Sequence, residues 1–104
     1  SPRRRGDYFE RQTRADLEAR GWLVVRAGGS LGPCDLMAIT KGQPPLLVSC
    51  KLGGRISPRE RNLLDVIATR YGAVAVVASR PTGGVVLYRG LRPDHDPAPV
   101  IRRQ

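Results

Sequence analysis

The apolar positions of this chain change period several times, and each change marks an element. Asp7 with Glu10 three residues on is a variant of the capping-box start, and a helical pattern follows as far as Gly21, a natural stop. Within it Glu10, Thr13 or Arg14, and Leu17 share one face by the i, i+3, i+7 rule, so Glu10 looks toward whatever Leu17 packs on. Aromatic and β-branched content makes Trp22 to Ala27 a strand, and the Gly-rich stretch from Gly28 to Pro33 a loop. Two further strands, Cys34 to Thr40 and Leu46 to Leu52, are joined by a connection of hairpin length containing Gly42. Alternation puts Asp35 with Met37 on one face, and Ser49 and Lys51 with Leu47 on one face of the next strand. Polar groups on otherwise apolar strands need a reason.

Ser57, Pro58 and Glu60 form a strong helix start, with a capping serine, proline at the first helical position and glutamate at the third. That helix runs through Tyr71 to a stop at Gly72, with Leu63, Leu64, Ile67 and Ala68 as its apolar stripe. Ala73 to Ala78 reads as a strand covered on both faces, and Val85 to Tyr88 as one more after the Thr82-Gly83-Gly84 turn. The order is therefore α-β-β-β-α-β-β in a single domain, 1–104. Residues 1–6 are expected to be a mobile basic arm and 90–104 a proline-rich tail that packs loosely or reaches a partner.

Charge changes the picture most. The chain carries 18 basic against 9 acidic residues, a formal +9, which suits a protein that works on polyphosphate and makes nucleic acid the leading partner. Only Lys41 and Lys51 are lysines; the other cations are arginines, whose planar forks suit phosphate, although a GC-rich genome also enriches arginine. Cys34 and Cys50 are too few and too far apart for a zinc knuckle, and are expected as buried fillers. No signal-like segment or bilayer-length apolar run is present, so the cytosol is the expected compartment, with no membrane partner. His95, between Asp94 and Asp96, reads as a solvated turn residue, and Glu60 as a capping residue only.

Several features arrive in a fixed order: Arg-Gly near the start, Glu10 on the first helix, Gly21-Trp22 leading a strand with Arg26, Ser30 in a Gly-rich loop, Asp35, and the triplet Ser49-Cys50-Lys51. Together, over about residues 3 to 80, they resemble the archaeal-type Holliday junction resolvases of the PD-(D/E)xK nuclease superfamily. No single motif carries the likeness; the order of the elements does. The resemblance implies a restriction-endonuclease-like α/β fold, with a mixed central β-sheet flanked by helices, and endonucleolytic resolution of four-way DNA junctions by a symmetric homodimer. It implies Mg²⁺, with Mn²⁺ as a substitute, held by Glu10, Asp35 and the backbone carbonyl of Cys50, with no small-molecule cofactor. Magnesium takes oxygen ligands in near-octahedral geometry, which such a set supplies. Lys51 would orient the attacking water or neutralise charge on the phosphoryl oxygens, and Ser30 with the amides of Gly28 and Gly29 would bind the adjoining phosphate.

Two departures stand out. Cys34 replaces the usual proline before the aspartate, at little consequence. Ser49 stands where the pattern carries an acid two residues before the lysine; it removes a charged ligand, leaving a hydroxyl that binds weakly or through water. The resemblance extends to phage-type members of the superfamily with a neutral polar residue there, and an engineered inactivating change would read the same; a member this small with an arginine-rich, GC-biased composition suggests a phage or thermophile source. Arg3, Arg4 and Arg5 are expected on a junction arm, and Arg26, Gly29, Ser30 and Arg55 nearer the cut. The rival readings are a flap or duplex nuclease of the same superfamily, a non-catalytic junction binder, and an arginine-rich RNA-binding module. The last lacks an aromatic stacking platform.

Overall fold

The computed structural model describes residues 2–29, 31–92 and 96–101; Ser30, His95 and the side chain of Arg3 lie outside what is described. The chain runs α1 (Pro2–Ala19), β1 (Leu23–Arg26), β2 (Leu36–Ile39), β3 (Leu46–Cys50), α2 (Pro58–Tyr71), β4 (Val74–Ser79), β5 (Leu87–Gly90) and a short α3 (Ala98–Ile101). The strands form one mixed sheet in the order β1-β2-β3-β4-β5. All neighbours are antiparallel except β3 and β4, which run parallel because α2 carries the chain back between them.

Alternation along β3 and β4 divides the core into two layers. Leu46, Val48, Val76 and Ala78 face α1 and pack with Phe9, Leu17, Trp22 and Ile101. Leu47 and Val77 face the other way, toward Leu64 and Ala68 of α2. Each buried valine, leucine, isoleucine or phenylalanine among them stabilises the fold by about 1.5–3 kcal/mol relative to exposure. On α1 the buried stripe is Phe9, Thr13, Leu17, one residue round from the expected face, so Glu10 lies at its margin. Thr13 is tolerated there because its Oγ1 donates to the Phe9 carbonyl at 2.9 Å.

Further expectations are corrected. Residues 2–6, expected as a mobile arm, are the first turns of α1: proline suits a first helical turn and arginine is a good helix former, so the helix starts well before Asp7. The described part of the expected loose tail is tied down, with Leu91 and Pro97 buried and Ile101 fully buried against the α1 layer. Leu63, placed in the buried stripe of α2, is 45% exposed. In contrast α2 follows its sequence signals: the Ser57 Oγ accepts the Glu60 N–H at 3.1 Å, and Gly72 takes a left-handed φ of 65°.

Candidate active site

The parallel pair β3–β4 ends at one edge of the sheet, and the loop from Lys51 to Ser57 leaves that edge to enter α2. The antiparallel partner β2 begins at the same edge, because Leu36 pairs with Val48. Asp35 therefore stands just before β2, its N–H bonded to the Val48 carbonyl at 2.8 Å, beside the end of β3. Its Oδ2 accepts the Cys50 N–H at 2.7 Å, which fixes the carboxylate against the strand end. Lys51 follows at once, anchored through its N–H to the Ala78 carbonyl of β4 at 2.9 Å.

Two further acids reach this edge from opposite layers. Glu10 comes from α1 and is bridged by the Arg26 guanidinium at 2.9 Å. Glu60 comes from the first turn of α2, and its Oε2 lies 3.0 Å from the Lys51 ammonium. Burial first, and then the negative charge of Glu10 and Glu60, raise the Asp35 carboxyl above its ordinary value, opposed by the Cys50 amide and by Lys51. The Lys51 ammonium holds the Glu60 carboxyl below its own. Glu10, Asp35, Lys51 and Glu60 thus sense one another at a single edge.

Ser49 is fully buried, and its Oγ is a buried hydroxyl with no hydrogen-bond partner. Cys34 is the buried filler expected, whereas Cys50 is half-buried; burial pushes the Cys34 thiol up to about 11 and the Cys50 thiol up to about 12, so neither is an available thiolate. Gly29 is exposed with a φ of 82°, a loop conformation natural to glycine, and Arg55 is exposed on the loop before α2. Arg26 is 64% exposed but engaged with Glu10 rather than turned outward alone.

Arg4 and Arg5 line a cleft of about 500 Å³ with Arg11, Tyr8, Leu52 and Arg80. Among the described residues Asp7 is the lone acid on its wall. Arg11 and Arg80 were not singled out by the sequence; the helical spacing of Arg4 and Arg11, seven residues apart, is the signal that joins them on one face. Glu60 was legible only as a cap, since nothing local says that its carboxylate reaches back to Lys51.

Among the described residues no group of three or more Asp, Glu, His or Cys side chains is gathered in a way that would hold a metal ion. The donor chemistry nevertheless fits a hard divalent cation. Asp35 is a carboxylate crowded by like charge, which a cation would relieve, and the orphaned Ser49 hydroxyl lacks the partner that a bound water would provide.

Among solved structures the chain is similar to that of Archaeoglobus fulgidus Hjc, a Holliday junction resolvase from an archaeal hyperthermophile. The two align with a TM-score of 0.70 and 24% identity, over 88% of this chain and 80% of that one, which supports the fold. No curated protein sequence matches. The family model described as archaeal Holliday junction resolvase (hjc) matches residues 1–57, a segment that holds α1, Glu10, Asp35 and Lys51. With more than half its length matched in this way, the chain belongs to the archaeal Holliday junction resolvase family.

Proposed function

We propose that this protein resolves four-way DNA junctions by divalent-metal-dependent phosphodiester hydrolysis. The observation that carries the reading is the meeting of Asp35, Glu10 and Lys51 at the one sheet edge where β2 begins and β3 ends. Asp35, Glu10 and the Cys50 carbonyl would hold Mg²⁺, with Ser49 contributing through a water and Mn²⁺ able to substitute. When bound, such an ion polarises the scissile phosphate and makes a nucleophile of water near neutral pH. The protein's own part is then clear. Asp35 is pinned by the Cys50 amide, so the acid is positioned before any ligand arrives, and the Lys51 ammonium neutralises charge on the phosphoryl oxygens. The arginine cleft of Arg4, Arg5, Arg11 and Arg80 lies along α1 and takes backbone phosphates of a junction arm.

A four-way junction offers two strands of like polarity, so two sites related by a two-fold axis suit it. The face of β1 and β2 that α1 does not cover leaves Leu23 64%, Val25 44% and Ile39 41% exposed. Met37 continues it into an apolar hollow of about 330 Å³ walled by Ile67 and Tyr71 of α2. A homodimer seam there covers a surface that otherwise stays wet. Light scattering should report a dimer, and Tyr71→Glu should shift it toward monomer; a wild-type monomer would rule out the seam.

The decisive assay cuts a synthetic four-way junction beside its component duplexes in Mg²⁺ and in Mn²⁺. Selective, paired nicking of the junction is expected, lost in Asp35→Asn and Lys51→Ala while junction binding stays within a few-fold. Equal cutting of duplex or flap substrates would make the protein a less selective nuclease. That no three acids are gathered among the described residues, with serine at position 49, favours a second reading, a junction binder without catalysis. Tight binding with no cutting in either metal would establish it.

A further inference from the structure

Position 49 leaves the site short of one carboxylate, and the structure offers a specific replacement. Ser49 and Lys51 project to the same face of β3 and its continuation, the face that α2 covers. An acid at 49 would therefore sit between the strand end and the first turn of α2. In this chain the position holds a fully buried hydroxyl with no partner, and a carboxylate arrives from the helix side instead. That carboxylate is Glu60: Oε2 is 3.0 Å from the Lys51 Nζ, and Oε1 accepts the Ser57 hydroxyl at 3.3 Å. A capping role explains the bond between the Glu60 N–H and Ser57, but a cap does not require the side chain to reach a lysine nine residues back.

We propose that Glu60 is the acid of the site that position 49 lacks, holding the Lys51 ammonium in the arrangement seen here and serving as the third acidic oxygen ligand when a divalent cation binds. The inference rests on the metal-nuclease reading above. Among the described residues no three acids are gathered, and Glu60, engaged with Lys51, would join Asp35 and Glu10 by exchanging that partner for the ion. The exchange is open to solvent, since the Glu60 side chain is 36% exposed. It releases Lys51 toward the phosphate at the moment the ion arrives.

The test is Mn²⁺ binding to the full chain without DNA, followed by electron paramagnetic resonance of the free ion, in wild type, Glu60→Gln and Asp35→Asn. Glutamine keeps the helix start and the shape, so its melting temperature without metal should move by no more than a few degrees. Both variants should weaken Mn²⁺ by about tenfold or more. Raising Mn²⁺ should recover part of the junction cutting in Glu60→Gln. If Asp35→Asn loses the ion while Glu60→Gln keeps wild-type affinity, Glu60 is no ligand and only this inference fails. If wild type binds no Mn²⁺, or Asp35→Asn binds it unchanged, the metal-nuclease reading itself falls and this one with it.

Discussion

Asp35 is held in a position that costs the folded protein stability. Its carboxyl is raised from an ordinary 3.8 by burial and by the neighbouring acids, so the native state takes up its proton more readily than the unfolded chain does. The penalty is present near neutral pH and shrinks as pH falls through the raised value. Glu60 has the opposite sign: its lowered carboxyl contributes stability above an ordinary 4.5, and that contribution disappears as pH falls through the depressed value. Asp35→Asn, which can still accept the Cys50 amide, should therefore raise stability at pH 7 while abolishing cutting. Thermal melts against pH should show the gain fading in acid; a loss at pH 7 would contradict the crowding of charge at that edge. Asp35 and Lys51 were legible in the sequence because each is polar at the end of an apolar run. The environment of Ser49 and the second bond of Glu60 were not, since both depend on residues that meet only across the sheet and helix.

At the scale of elements, the sequence signals that held were local and chemical. Ser57, Pro58 and Glu60 start α2, and Gly72 ends it, because each satisfies backbone groups within a turn of itself. Ser57→Ala should lower stability by about 1 kcal/mol through the lost cap. It should also loosen Glu60, so junction cutting should fall more than junction binding; equal loss in both would deny the cap a share in the site. The start of α1 was misread for the complementary reason. Asp7 and Glu10 look like a cap, yet Pro2 to Gly6 continue the same helix, and Glu10 serves Arg26 instead. The last strand slid in register as well: β5 spans Leu87–Gly90 rather than Val85 to Tyr88, and Tyr88 is fixed by its hydroxyl, which donates to Asp16 of α1 at 2.6 Å. Such long-range bonds leave no trace in local propensity.

At the scale of the molecule, the order of elements was legible from periodicity and turn residues alone, and the two-layer packing around a mixed sheet follows from it. Which faces are open to a second copy or to DNA was less so, because an exposed apolar or basic patch is defined only once the chain is folded. The arginines of α1 face a cleft as part of a helix, so the phosphate contacts proposed for them would be preorganised. Replacing Arg4 and Arg5 with alanine should flatten the dependence of log affinity on log salt by nearly two charges' worth, and an unchanged slope would place DNA elsewhere. The two ion pairs at the sheet edge carry a last consequence. Glu10 is tied up by Arg26 and Glu60 by Lys51, so in the free protein each acid quenches a base that phosphate would want. In the proposed mechanism a divalent ion claiming the acids would set both bases loose, and DNA claiming the bases would uncover both acids. Thermodynamic reciprocity would then make ion and junction recruit one another with the same coupling, whichever came first.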